Sequence, residues 1–505
     1  MGKNETKLYY YLTGVFICLA LVLRRFLSTY QSFTIVVFCT LVMFLGLMAL
    51  FYYGLTSTAH KRVNKHLSPI VAILVSSVYL FGLLIPLGLF GFSNFLKFGV
   101  PISGAQFTWI TVNRYAIAIT AIVVYFVFAC FGIWASHYLL NVIRSNQNQP
   151  LQVLKRTVKA TTLKSFSRKL AIVLSMLVGV CLLIVGLAWI NQYDSNTVMF
   201  FLSKGMIDIL APFAEIVIIS RLLGIELASF SPTPLLTMYA LGLVIFAGLF
   251  AAVSPVYANP PMTKLTIIVH RGVINQNAVG NTIASLKRNS QYHFPFIEMD
   301  IQETKDHQFI CAHDNDLRIP KKGNVEIDQL SLKTIKRYHH VDMFGDYLRI
   351  ANKLKQPLII ELKVTNHSDQ QMGTRFAKQF KPQLTVLPHR VHSIGYPFLR
   401  QVKRQIPGMD IGLVTMLNFG NIGHYHVDFY TLQHLTANPF LISSVGETGR
   451  PVYSWTDDSK LSMVRMEMLG TTGQVTDQAF RLQHLRVNYR RDRWILLLNS
   501  LQNYL

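Results

Sequence analysis

Apolar and polar positions fall into two rhythms along this chain. Up to about residue 258, apolar residues run without alternation in stretches near the ~20 residues that a helix needs to cross a bilayer. Seven such runs, at about 9–23, 33–55, 69–90, 115–140, 170–190, 198–219 and 235–253, each predict a spanning helix. The first run ends at Arg24-Arg25 and lacks a small-residue cleavage site, so it reads as a retained anchor and not a cleaved signal peptide. Beyond the runs, Pro255, Pro260 and Pro261 make 255–263 a short stiff connector. The pattern therefore divides the chain into a multi-span membrane domain (1–254), the connector, an α/β domain (264–482) and a basic amphipathic tail (483–505).

In the α/β domain the apolar runs are short and β-branched. Residues 265–269 read as a buried parallel strand, 281–289 as a helix, and 296–301 as the next strand. Further strands are expected at 309–312, 358–362, 385–391, 411–416, 427–432, 452–455 and 474–476, at least one more than a closed barrel of eight needs. Strand, helix, strand with polar groups at the strand ends is how a (β/α)8 TIM barrel builds its site. The first strand delivers His270-Arg271-Gly272, and the 309–312 strand delivers His313 and Asp314. Glu298 and Asp300 lie two apart and share one face of their strand. Two carboxylates offer hard oxygen ligands for Mg²⁺ or Ca²⁺. Two imidazoles can exchange protons with a nucleophile and a leaving group. Arg271 adds a fork suited to a phosphate oxygen.

These residues carry a resemblance. HRG at 270, NT at 281, EMDIQETKD at 298 and HD at 313 resemble the glycerophosphodiester phosphodiesterase family, whose pattern is HRG, ENT, E-x-D and HD. The likeness covers roughly 264–480: PLIIELK at 357–363 resembles the family's strand with a third acidic ligand and a lysine, VYSWT at 452–456 its aromatic strand, and GQVTD at 473–477 its last strand. Where the family has the glutamate of ENT, this chain has Gly280. The resemblance implies a divalent cation held by Glu298, Asp300 and Glu361. It also implies a phosphate clamp of Arg271 and Lys363, with Trp455 beside the substrate, and proton transfer by His270 and His313, whose acid and base roles stay open.

Composition changes the picture in two places. Only 14% of residues are charged, against roughly a quarter in ordinary soluble domains, as a chain half in lipid requires. The net charge of +23 suits an anionic membrane surface or a polyanionic phosphate substrate. Without a clustered basic–aromatic motif it points to no nucleic acid. Of five cysteines only Cys311 falls in the α/β domain, which rules out an internal disulfide there.

Loop charges set the expected orientation. The 141–169 loop carries Arg144, Lys155, Arg156, Lys159, Lys164, Arg168 and Lys169 and reads as cytoplasmic. The 191–197 loop has Asp194 and no positive residue, and an odd number of spans then puts the barrel outside the plasma membrane. Arg24-Arg25, Lys97 and Arg114 stand against this as a minority. The sixth run carries Lys204, Asp208 and Glu215 on one face with Pro212 as a kink. It reads either as a span with a bundle ion pair or lipid path, or as a re-entrant segment that would invert the topology. The tail, Arg486 to Arg493 followed by Trp494 to Leu498, suits an anionic interface or packing on either domain.

The expected function is metal-dependent hydrolysis of glycerophosphodiesters at the outer face. Substrates would be deacylated headgroups or glycerol-phosphate polymers such as lipoteichoic acid. Two alternatives are phospholipase C- or D-like cleavage of intact lipid, and a non-catalytic phosphodiester sensor.

Overall fold

The computed structural model describes residues 1–29, 32–59, 96–97, 100–144, 149–229, 233–254 and 265–503. The chain forms two compact units, Met1–Gly99 with Ala118–Asn259 and Tyr489–Leu505, and Val100–Ile117 with Pro260–Asn488.

The first unit is helical. Among the described residues, five helices are long and apolar enough to cross a membrane: Lys3–Leu27, Phe33–Ala59, Arg114–Arg144, Leu163–Tyr193 and Pro234–Ala252. The expected 69–90 span and the 255–263 connector lie outside the described residues. The first helix runs Lys3–Thr29, straight through Arg24-Arg25 where the sequence reading ended it. Two arginines are good helix formers and do not stop a helix. The sixth run does form a helix, Thr197–Leu223, capped by Asn196 and by Gly224 in the left-handed region. Its Lys204 and Asp208 form a buried ion pair one turn apart. A Cβ on Gly205 would strike the backbone of Val244 and Gly248, so the bare glycines let this helix cross Pro234–Ala252 at backbone contact. The tail packs within this unit: Ile495, Leu496 and Leu497 are buried, and the Arg493 guanidinium lies 5.3 Å from the Phe200 ring.

The second unit is the barrel. Its strands in chain order are β1 (Thr266–Val269), β2 (Phe296–Glu303), β3 (Phe309–Cys311), β4 (Asp316–Ile319), β5 (Gly323–Glu326), β6 (Leu358–Leu362), β7 (Arg390–Ser393), β8 (Asp410–Thr415), β9 (Phe429–Gln433), β10 (Val452–Trp455) and β11 (Gly473–Thr476). Eight of them, β1, β2 and β6 to β11, are parallel and close on themselves through β1–β2 and β1–β11. The surplus strand is β3. It pairs antiparallel with β2 as an appendage outside the ring, and β4–β5 form a separate hairpin. Ile268, Ile359, Phe429, Tyr453 and Val475 form one buried core cluster contributed by five different barrel strands.

Residues 100–117, which the sequence reading left in the membrane half, belong to this second unit. Ser103 and Gln106 form a capping box that starts the helix Gly104–Val112, and Phe107 and Thr111, one turn apart, are its buried face. Asn421 N donates to Val100 O (2.9 Å), Tyr425 Oη to Ile102 O (2.7 Å), and Asn113 and Asn366 exchange side-chain hydrogen bonds. The segment thus lies on loops that follow β6 and β8, at the end of the barrel where catalytic groups gather.

Candidate active site

Strand register assembles the site. Val269 pairs with Thr476 and with Ile297, which sets His270 beside both Asp477 and Glu298. Asp300 pairs with Glu361, and Glu361 with His392, so three ionisable residues follow one another around the ring. Each faces the cavity because the pleat that buries its aliphatic neighbours turns it inward. All eight residues singled out from the sequence, His270, Arg271, Glu298, Asp300, His313, Glu361, Lys363 and Trp455, line one cavity together with His392, Thr431 and three apolar side chains, Val414, Met416 and Val475.

The first loop is tightly wound. Arg271 takes a left-handed backbone (φ 50°), a conformation rarely held by a non-glycine residue away from functional sites. It aims the Arg271 backbone N–H at Glu298 Oε2, 3.0 Å away. The Arg271 side chain returns over Gly280, where an added Cβ would sit 3.0 Å from Arg271 Cβ. Lacking the family's glutamate, position 280 gives that room to the arginine, whose Nε lies 3.5 Å from Asp300 Oδ2. Asn281, also left-handed, donates from Nδ2 to Asp300 Oδ2 (2.8 Å) and accepts from Asp300 N (2.9 Å).

The acidic groups differ in their surroundings. Burial works to raise the Asp300 pKa, but Lys363, His313 and Arg271 outweigh it and hold the carboxyl well below its usual range. Glu361 goes the other way: burial raises it, Lys363 only partly offsets this, and Asp300 and Glu298 add to the rise. Lys363 bridges the two, 3.5 Å from Asp300 and 3.4 Å from Glu361. Burial lowers its pKa, yet the surrounding carboxylates carry it above the ordinary lysine value. His270 follows the same logic: burial lowers it, and the Asp477 hydrogen bond with the Glu298 charge brings it out raised. His313, at the end of β3, pairs with its neighbour Asp314 (2.8 Å) and is over a third exposed. The Trp455 indole N–H donates to Thr415 O (3.2 Å), which fixes its ring at the cavity wall.

A divalent ion fits this pocket. The donor atoms of Glu298, Glu361 and His392 lie within 4.8 Å of one another, and His392 Nε2 is buried without a hydrogen-bond partner. Asp300 shares Lys363 with Glu361 and is further held by Arg271 and Asn281.

Three residues of the site escaped the sequence reading. Asp477 stood in the quoted last strand, and the signal that singled out His270, a polar group directly after a strand, applied to it equally. Asn281 looked like the start of a helix and is a left-handed loop residue. His392 was lost because that strand was placed at 385–391; it runs Arg390–Ser393, which makes His392 an inward strand-end residue.

The sequence model of the Glycerophosphoryl diester phosphodiesterase family matches residues 270–404, from the first loop to past His392. A glycerophosphodiester phosphodiesterase of Caldanaerobacter subterraneus subsp. tengcongensis is 25% identical over 246 residues, covering 44% of this chain and 98% of the relative. The Bacillus subtilis (strain 168) protein YhdW, named for the same activity, is 23% identical over 230 residues, 42% of this chain and 93% of its own. Among solved structures, a glycerophosphodiester phosphodiesterase from Parabacteroides distasonis ATCC 8503 is 21% identical with a TM-score of 0.38, over 44% of this chain and 96% of that one. An Oleispira antarctica phosphodiesterase, solved with the product sn-glycerol-3-phosphate, is 17% identical with a TM-score of 0.38, over 45% and 97%. Family match and relatives coincide with the closed barrel and its strand-end residues, and residues 270–404 carry the sequence pattern of the glycerophosphoryl diester phosphodiesterase family.

Proposed function

We propose that this chain hydrolyses glycerophosphodiesters at a membrane surface, with His270 as general acid and His313 as general base. The observation that carries the roles is the His270–Asp477 contact of 2.8 Å. Asp477 holds Nδ1 and favours the imidazolium, so a proton is on hand at Nε2 for the departing alcohol oxygen. His313, open to the cavity mouth, takes the proton of the attacking water or of a substrate hydroxyl next to the phosphodiester. In the second case a cyclic phosphate forms first and water opens it. Lys363 and Arg271 donate to the non-bridging phosphate oxygens, where charge gathers in the transition state. Glu298 and Glu361 would hold a divalent cation, which when bound neutralises a phosphoryl oxygen. Asp300 orients Lys363 and Arg271. Trp455, Met416 and Val475 give the glycerol and alcohol carbons an apolar wall.

The names of the two relatives supply the substrate class. The loop charges support an outward-facing barrel, and the positive net charge favours polymeric or membrane-proximal diesters over small ones. The test is assay of the purified full chain on several glycerophosphodiesters and on lipoteichoic acid, with and without chelator. Glycerol 3-phosphate or a phosphomonoester plus an alcohol is expected from the untreated enzyme. Absence of any product across that set overturns the reading.

A further inference from the structure

We infer that His392 is a metal ligand, and that with Glu298 and Glu361 it selects a zinc-class ion over Ca²⁺ or Mg²⁺. The inference rests on the reading of this pocket as a divalent-metal site, and goes beyond the oxygen ligands that the resemblance implies. His392 lies at the C-terminal end of β7, in register with Glu361, with 3% of its side chain exposed. Nδ1 is 3.2 Å from Thr431 Oγ1. Nε2 is buried with no hydrogen-bond partner, and a buried ring nitrogen ordinarily has one. The carboxylate oxygen it faces, Glu298 Oε1, stands at 3.9 Å, beyond hydrogen-bond reach.

That gap is informative in either tautomer. An Nε2–H would be drawn to a carboxylate at about 2.8 Å. A bare lone pair would be repelled by it. Two donors each about 2.1 Å from one ion stand roughly 3.4 to 4.2 Å apart, and 3.9 Å falls in that interval. Thr431 completes the case: when its oxygen accepts from Nδ1–H, the Nε2 lone pair is directed into the cavity, as outer partners of ligating histidines do. The Phe429 ring, 6.2 Å away and tilted by 31°, flanks the imidazole. Ca²⁺ and Mg²⁺ take oxygen ligands. An imidazole with two carboxylates suits Zn²⁺ or Co²⁺, and leaves positions open for substrate.

Metal-stripped full-length protein in detergent tests this without turnover. Zn²⁺, Co²⁺, Ca²⁺ and Mg²⁺, each alone, are titrated calorimetrically against wild type, H392Q and H367Q; the last alters a separate rim cluster, Glu326, Asp328 and His367. Zn²⁺ is expected to bind at least about 10²-fold tighter than Ca²⁺. H392Q should weaken Zn²⁺ by about 10-fold or more, and H367Q should leave it unchanged. If H392Q fails to fold, the H270A/H313A variant retains His392, and one equivalent of Cu²⁺ should still show nitrogen splitting in its electron paramagnetic resonance spectrum. Equal affinity for Ca²⁺ and Zn²⁺, unchanged Zn²⁺ affinity in H392Q, or loss of the nitrogen splitting overturns the assignment. Zinc bound through His392 in a chain that hydrolyses no diester would sink the proposed function alone. Metal-dependent hydrolysis with H392Q binding intact would sink this inference alone.

Discussion

Asp477 Oδ1 lies 2.8 Å from His270 Nδ1 across 207 residues of chain. Nothing in either local sequence demands it; closure of β1 onto β11 brings the two together. Asp477→Asn keeps the shape and removes the charge that holds His270 protonated. Its pKa should fall, moving the alkaline limb of the pH–rate profile to lower pH, and turnover at pH 7 should drop by about 10²-fold. An unmoved profile would detach Asp477 from the proton transfer.

Glu361→Gln removes one carboxylate of the proposed Glu298–Glu361 cation site and one of the two carboxylates beside Lys363. Activity should fall by at least about 10²-fold while the melting temperature stays within a few degrees of wild type. Chelator should have the same effect on the native chain. Full activity in chelator would exclude a metal role for this pair.

Gly280→Glu, which restores the residue the family carries, is expected to harm this enzyme. The new Cβ would press on Arg271 at 3.0 Å and push its guanidinium from Asp300. Overpacking of this kind costs about 1–3 kcal/mol, and KM for diesters should rise by about 10-fold with kcat less affected. An improved KM would show that the arginine has no need of the space.

Asp457 makes barrel stability depend on pH. It is fully buried, with Ser454 donating to it and Arg465 and His434 facing it. Burial raises its pKa to about 7. An acid whose folded pKa is raised incurs no penalty below the unfolded value of about 3.9, and loses stability as pH climbs from there to about 7. The ceiling on that loss is about 4 kcal/mol. Asp457→Asn should therefore melt higher than wild type at pH 8 and alike near pH 4. Parallel melting curves across that range would contradict the buried neutral acid.

Topology is open to a direct check on intact cells. With the barrel outside, added protease should release fragments from 265–488 before lysis. Release only after lysis would place the site in the cytoplasm.

The presence of long apolar runs ahead of a closed barrel, and the residues that end the barrel strands, could be read from the chain alone. Apolar runs of spanning length need no tertiary partner to be read, because the bilayer alone dictates them. The barrel was equally legible, since strands buried on both faces write continuous aliphatic runs that end in polar groups. Glu298 and Asp300 could be placed on one face because a strand's two-residue period is local. The remaining features depend on register and closure. The 309–312 strand reads like a barrel strand and is an antiparallel appendage, because its pairing partner and direction are not encoded in its own composition. The 385–391 boundary, set too early, hid His392, and a few residues decide whether a histidine ends a strand or follows it. Residues 100–117 precede and enter the expected 115–140 span and belong with the barrel, held by hydrogen bonds to residues more than 250 positions away. Glu298 and Asp300 share a face in the sequence, and the closed ring adds Lys363, Arg271 and Asn281 around Asp300. Which carboxylates share a lysine depends on distances across the ring, and those exist only once it closes.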